Sequence, residues 1–371
     1  MTMDFVVPCL MGVEGLIAAE LRELGAENVR AENARVLFSG DEHILARANI
    51  CLRHAERIQI LLGSFHAVTF EELFQGVRAL PLEDWIGKDD AFPVKGYTLN
   101  SKLFSVRDCQ SIIKKAMVER LKTVYKVPWF SETGATYQVQ FSILKDEVTI
   151  VIDTTGSGLH KRGYRLQAND APIKETLAAS LVDVARVRDF HTLYDPMCGS
   201  GTILIEGALK ALNIAPGVNR SFRAETFPQF PNAVWDEERE RARDLVNLDC
   251  SFHAYGSDID AAALEVAKKN AERAGVADRI EFELRDLKDF ERKSERGTVI
   301  CNPPYGERLG EIREAEDLYR TMGKVFPRER GWAYYIISPS EDFEKLFGRR
   351  ADKRRKLYNG MIKCQYYMYF K

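Results

Sequence analysis

At 371 residues the chain is long enough for two or three domains, and with 45% hydrophobic and 29% charged residues it has the composition of a protein that buries a core. A net charge of −2 excludes a globally basic nucleic-acid binder, so any such contact has to use local basic patches. The 7 cysteines form no CxxC pair and the 6 histidines no HExxH, which argues against a disulfide framework or zinc site and for reduced thiols in a cytoplasm. The start, MTMDFVVPCLMGVEG, lacks a basic n-region and a long apolar h-region, and no apolar run is long enough for a membrane span. The expectation is a cytoplasmic protein with no metal and no membrane partner; its oligomeric state is unreadable.

The first elements read as a small α+β unit. DFVVPC is a short strand, and VEGLIAAELRELG a helix that ends at Gly25. ARVLFSG alternates as a strand. DEHILARANICLRHAERIQILLGSF runs from a helix with Asp41 as N-cap into an apolar strand, and TFEELFQGVRAL is a short helix. From about residue 93 a second block follows: a strand, a helix with a basic face, then the hairpin TYQVQFSILKDEVTIVIDTTG with Lys145, Asp146 and Glu147 at its turn. Its Gly-rich, basic tail TTGSGLHKRGYR is the first good boundary signal.

From Ala171 strands alternate with helices, which predicts a mostly parallel, Rossmann-like sheet with right-handed crossovers. The closing KLYNGMIKCQYYMYF carries an Asn-Gly turn and adds an antiparallel hairpin. The expected division is 1–60, 61–165 and 166–371.

Ligands of open α/β sheets sit at the carboxyl ends of the strands. The first readable end is DPMCGSGT, where Gly199 and Gly201 let the backbone approach a ligand and the next helix presents its N-terminus. The second is GSDID: Asp258 is assigned to ribose hydroxyls and Asp260 to a helix cap. At the third, RDLKDF, Asp286 either faces an adenine amine or caps a turn. The fourth is TVICNPPYG. Prolines cannot donate to a ladder, so the strand must end at Asn302, with Pro303 and Pro304 fixing the backbone. The Asn302 and Pro303 carbonyls can accept an exocyclic amine's protons, and Tyr305 can stack on a base. Cys198 and Cys301 have no base-like neighbour in sequence and read as packing residues.

These motifs, in this order, resemble class I S-adenosylmethionine-dependent methyltransferases of the amino-methylating type, from about Pro172 to the end. The resemblance implies that Asp195, Pro196, Cys198, Gly199, Ser200, Gly201 and Thr202 form the loop around the methionine part of S-adenosylmethionine. It puts Asp258 and Ile259 at the ribose, Asp286 and Leu287 at the adenine, and Asn302, Pro303, Pro304 and Tyr305 at the target base. APIKETLAA resembles the helix that closes over the methionine end, with Lys174, Glu175 and Thr176 as its contacts.

NPPY also occurs in adenine-N6 DNA methylases, but no target-recognition insert is readable here: the addition Pro216 to Asp249 looks helical and acidic. Recognition then falls to the first 165 or so residues. These resemble a ferredoxin-like segment followed by a THUMP domain, the pairing of RNA-modifying enzymes. The likeness rests on LRHAERIQILLGSF, TFEELFQGV, NSKLFSVRDCQSIIKKAMVERL and VTIVIDTTGSGLHKRGYR. The chain is most similar to bacterial THUMP methyltransferases that make N2-methylguanine in 23S ribosomal RNA. That implies RNA as partner, with transfer RNA, adenine-N6 in DNA, or non-catalytic RNA binding as alternatives. Lys102, Lys114, Lys115, Lys161, Arg162 and Arg165 either hold phosphates or form a solvated basic face, and Tyr164 is placed to stack.

Overall fold

The computed structural model describes residues 2–165, 173–306 and 309–370, with side chains from residue 311 in the last stretch. The boundary expected after residue 165, and Ala171 and Pro172 of the motif APIKETLAA, lie at or outside the edge of the described residues.

The first half contributes β1 (Met3–Pro8), α1 (Glu14–Glu23), β2 (Glu27–Glu32), β3 (Arg35–Gly40), α2 (Glu42–Cys51) and β4 (Gln59–His66). It continues with α3 (Phe70–Arg78), β5 (Val94–Leu99), α4 (Val106–Tyr125), β6 (Val139–Leu144) and β7 (Glu147–Asp153). Local chemistry sets the ends. Gly25 follows α1 at φ 88°, and Asp41 accepts from the Ile44 amide at 3.0 Å to cap α2. Thr69 and Glu72 form a reciprocal capping box on α3. The β6–β7 turn is tighter than expected. Lys145 and Asp146, both at positive φ, make a two-residue turn, and Glu147 already pairs with Leu144.

All seven strands lie in one sheet, ordered β2-β3-β1-β4-β7-β6-β5. The join is β1 with β4, through Phe5 opposite Ile60 and Val6 opposite Gln59, so the ferredoxin-like and THUMP-like segments share a continuous sheet. Strand β2, ENVRAE, carries no sequence signal because it is an exposed edge held by pairing with β3.

The second half contains α5 (Glu175–Val184), β8 (Thr192–Asp195), α6 (Thr202–Ala211), α7 (Asn232–Asp244), β9 (His253–Asp258), α8 (Ala261–Arg273) and β10 (Ile280–Leu284). After these come β11 (Gly297–Cys301), α9 (Leu309–Val325), β12 (Trp332–Ser338), α10 (Phe343–Phe347), β13 (Lys353–Asn359) and β14 (Ile362–Tyr369). The sheet order is β10-β9-β8-β11-β12-β14-β13, parallel through β12 and antiparallel at the closing hairpin. This is the expected Rossmann-like arrangement. Every residue of β11 is buried, as a central parallel strand requires. Tyr334, Tyr335, Tyr366 and Tyr367 are core residues, as read from sequence.

The two halves are stitched together at several points. The insertion between α6 and α7 lies against the first half, where Gly217 donates to the Ile50 carbonyl at 2.8 Å. A Cβ on Gly217 would meet the Asn49 and Ile50 carbonyls at 2.8 Å, so only glycine fits this approach. On α7, buried Glu238 takes a two-pronged bond from Arg47 of α2 at 2.7 and 2.8 Å. Without Arg47 the buried carboxylate would keep, among the described residues, only His43 at 3.3 Å and Arg241 at 3.8 Å. Tyr137 stacks on Phe227 at 4.2 Å and donates to Gln229 at 2.8 Å. His54 meets Asp183 at 3.1 Å, and Arg355 of β13 donates from Nε to the Gly12 carbonyl at 3.1 Å.

Candidate active site

Four loops meet at the carboxyl ends of β8, β9, β10 and β11. Asp195 ends β8, and the chain then turns tightly. The Gly201 amide donates to the Cys198 carbonyl at 2.8 Å, and the Cys198 amide to Ser257 at 3.0 Å. Gly199 and Gly201 have φ of 51° and 78°. A Cβ on Gly201 would press Ala267 at 3.1 Å, whereas one on Gly199 would project into open space over the loop. Asn270 of α8 donates to the Ser200 carbonyl at 3.1 Å and ties the turn from below.

The Asp195 carboxyl is buried and receives one bond, from the Met197 amide at 3.2 Å. Burial, with a smaller push from Asp258, raises its pKa to about 8. An acid so poorly satisfied at the mouth of a glycine loop is suited to a cationic group such as an amino acid ammonium. Asp258 ends β9 and accepts from Gly199 at 2.8 Å and Asp260 at 3.0 Å, so it braces the loop. Asp260 caps α8 through the Ala262 amide at 2.8 Å, as assigned. Beside them Ile259 is 74% exposed, an apolar side chain held out where a flat ring could lie. The buried acid, the open Gly199 and the bare Ile259 fit an S-adenosylmethionine-like ligand.

Other expected contacts are redirected. Asp286 accepts from the Lys288 amide at 3.0 Å and pairs with its ammonium at 3.1 Å; of its two sequence readings the structure displays the turn cap. The Leu287 side chain is buried in the core between sheet and α9, so only its backbone can face a ligand. Thr176 is fully buried and donates to Glu56 at 2.8 Å, and Thr202 accepts from Arg165 at 2.5 Å. Glu175 is buried 3.6 Å from Arg165, and burial raises its pKa.

Strand β11 stops before Asn302, as the prolines dictate. Tyr305 differs from expectation. Its ring packs against the main core, and its hydroxyl donates to Asn302 Oδ1 at 2.7 Å while accepting from Asn359 Nδ2 at 3.1 Å. The tyrosine therefore orients the amide, where a stacking ring was predicted. Asn302 Oδ1 keeps a second lone pair for another donor. Asn359, at the hairpin turn, was missed, since nothing local to it points to residue 305. Cys198 and Cys301 are buried and their thiols are pushed well up by burial, which makes them packing groups.

The expected phosphate contacts divide. Arg162 is buried, paired with Glu206 at 3.4 Å and donating to the Leu159 carbonyl at 2.7 Å, so it cannot reach a phosphate. Tyr164 is buried too, its hydroxyl on Glu206 at 3.0 Å, and cannot stack. Arg165 is tied to Thr202 and to the Ile173 carbonyl at 3.0 Å. Lys114 lies 3.4 Å from the Phe92 ring centre and pairs with Glu132 at 2.7 Å. Lys102, Lys115 and Lys161 remain exposed. Glu206 had a signal: it is an acid inside the apolar helix TILIEGALKAL, which requires a buried partner. Among the described residues no three His, Cys, Asp or Glu side chains gather as metal ligands, and no helix is long and apolar enough to cross a membrane.

A parallel sheet with a glycine loop after its first strand, acids at the next ends and NPPY at the fourth defines a class I methyltransferase. Residues 162–368 match the RMKL-like methyltransferase domain, 4–59 the RlmL ferredoxin-like domain and 67–153 the THUMP domain, so the chain belongs to the RMKL-like methyltransferase domain family. It is 45% identical to "Putative RNA methyltransferase YpsC" of Bacillus subtilis, over 97% of this chain and 94% of that protein. It is 34% identical to "Ribosomal RNA large subunit methyltransferase K/L" of Psychromonas ingrahamii over 98% of this chain, which spans about half (49%) of that longer protein. The crystal structure of SMU.472 complexed with SAH superimposes with a TM-score of 0.93 at 40% identity, covering 100% of this chain and 98% of the other.

Proposed function

We propose that the chain transfers the methyl group of S-adenosylmethionine to the exocyclic amine of a base in RNA, with guanine N2 of 23S ribosomal RNA as the target. The observation that carries this reading is the Asn359–Tyr305–Asn302 chain, which fixes an amide carbonyl at the end of β11 in the same row of strand ends as Asp195 and Asp258. The names of the relatives from Bacillus subtilis and Psychromonas ingrahamii support RNA over DNA. So does the N-terminal region, which packs onto the catalytic half.

The cofactor supplies an electrophilic methyl on a sulfonium. Asp195 holds its ammonium end, and Asp258 its ribose. The target base leaves its stack, because its amine is otherwise paired. Asn302 Oδ1 and the Pro303 carbonyl accept the two amine protons and aim the nitrogen lone pair. As the new N–C bond forms and the S–C bond breaks, positive charge grows on the nitrogen. The two carbonyls stabilise that charge until the nitrogen gives a proton to solvent. The chain works in the cytoplasm, where its thiols stay reduced.

The test is an incubation of the purified protein with labelled S-adenosylmethionine and ribosomal RNA, transfer RNA and genomic DNA from a strain lacking the gene. Digests are resolved by nucleoside mass. N2-methylguanosine from ribosomal RNA is expected. Label only in N6-methyldeoxyadenosine would overturn the reading, and label in transfer RNA would overturn the choice of 23S RNA.

A further inference from the structure

A cleft of about 680 Å³ opens where the linker after β7, the start of α5 and the insertion before α7 come together. Lys161, Arg165, Glu175, Asn219, Arg220 and Ser221 are among the residues that line it. Its charges do not balance. Arg57 is matched by Asp153 at 2.8 Å, Arg162 by Glu206 at 3.4 Å and Arg165 by Glu175 at 3.6 Å. Lys161, Arg220 and Arg223 have no acidic partner among the described residues. Arg220 instead donates to the Ser157 and Leu159 carbonyls at 2.6 and 3.1 Å, which fixes it at the wall. Burial first, then the neighbouring charges of Arg162 and Arg57, pull its pKa down to about 10 against a smaller opposing pull from Glu175. Arg165 Nε, on a residue that lines the cleft, is buried with no hydrogen-bond partner among the described residues. An anion in the cleft would balance the charges of Lys161 and Arg220.

We propose that this cleft grips the phosphodiester backbone of the substrate strand beside the base presented to Asn302, with Lys161 and Arg220 supplying the charge. The proposal rests on the RNA reading above. Place supports it: Arg165 bonds Thr202 at the start of α6, and Glu175 opens α5, so the cleft adjoins the cofactor loop. Its volume lies in the range of specific ligand sites. It also gives the insertion between α6 and α7 a task, since the catalytic half supplies Asn219 to Ser221 and the N-terminal linker supplies Lys161. Neither half forms the cleft alone.

The test uses the full chain with Lys161→Ala and Lys161→Glu. The Lys161 side chain is exposed and makes no hydrogen bond or ion pair among the described residues, and its backbone bond to the Gly158 carbonyl survives both changes, so neither threatens folding. Binding of ribosomal RNA from a strain lacking the gene is measured across a salt series, and S-adenosylmethionine affinity by calorimetry. The expected result for Lys161→Ala is a salt slope shallower by about 0.7 to 0.9, one phosphate contact, with affinity lowered a few-fold. Lys161→Glu binds more weakly still, and cofactor affinity is unchanged in both. Wild-type affinity and slope in both variants, while the wild-type enzyme methylates RNA, would overturn the cleft and leave the function standing. Wild-type protein that binds and methylates no RNA would overturn both. Weaker binding of an acidic polypeptide such as polyglutamate with RNA binding intact would assign the cleft to a protein partner and refute the proposal.

Discussion

Replacing Tyr305 by Phe removes one oxygen and keeps the packed ring. That oxygen donates to Asn302 Oδ1 at 2.7 Å and accepts from Asn359 Nδ2 at 3.1 Å. A net hydrogen bond is worth about 1 kcal/mol, and an amide left without its partner costs about 1–3 kcal/mol. Asn359 sits at a half-exposed turn where water can replace the tyrosine, so the low end applies. The fold should therefore lose about 1–2 kcal/mol, a few degrees in melting temperature. Catalysis should lose more. With its anchor gone Asn302 samples several rotamers, and each 1.36 kcal/mol of lost alignment is tenfold in rate. The expected loss in single-turnover methyl transfer is about 10- to 100-fold. Cofactor affinity should stay unchanged, because no assigned cofactor contact touches the hydroxyl. Rapid-quench kinetics with saturating RNA and calorimetric cofactor titration measure the two quantities. Single-turnover rates equal to wild type would refute the orienting role.

Asn302→Ala should retain cofactor binding and lose turnover by several orders of magnitude, read in the same two assays. Asp195, with its pKa raised to about 8, binds a proton in the folded chain that the unfolded chain has lost above about pH 4. Its contribution to stability is thus largest below that value and fades as pH rises toward 8. Asp195→Asn should flatten the fall in melting temperature between pH 5 and 8 that the ligand-free wild type shows. If the two profiles are parallel, the buried acid is ionised throughout. Glu56 has the opposite sign. Burial alone would raise it, but bonds from His160 and Thr176 and the charge of Lys174 hold it near 2, so its stabilisation is full above about pH 4.5 and lost toward pH 2. Glu56→Ala should flatten that acid limb and raise the KM for S-adenosylmethionine, because Thr176 at the start of α5 loses the acceptor of its hydroxyl; an unchanged acid limb would dismiss the ion cluster.

The sheet ends were readable because parallel β/α units obey strict rules. Once DPMCGSGT, SDID and NPPY are placed at the ends of β8, β9 and β11, the fold has to bring Asp195, Asp258 and Asn302 to one edge. The breaks fell where partners are remote. Arg162 and Tyr164 looked like surface residues of a basic loop until Glu206, 44 and 42 positions on, drew both inside. Lys114 looked free until Glu132, beyond the end of its helix, claimed it. Tyr305 needed Asn359 from the far hairpin to reveal its direction. The join of β1 to β4 has no local signature, since either strand would pair as readily with a neighbour in sequence.

The contact of Arg355 with the Gly12 carbonyl has a meaning in time as well as in space. During synthesis the N-terminal sheet owns all its strands once residue 153 has left the ribosome, but residue 355 follows about 200 positions later. At about 5–20 residues per second that interval is roughly 10–40 s. Arg47 lacks Glu238 for about the first 85 of those positions (238 − 153) and Gly12 lacks Arg355 for all of them, so a nascent chain carries first an uncovered charge and, to the end, an uncapped carbonyl beside a finished sheet. Arrested chains are thereby distinguishable from complete ones by their surface alone.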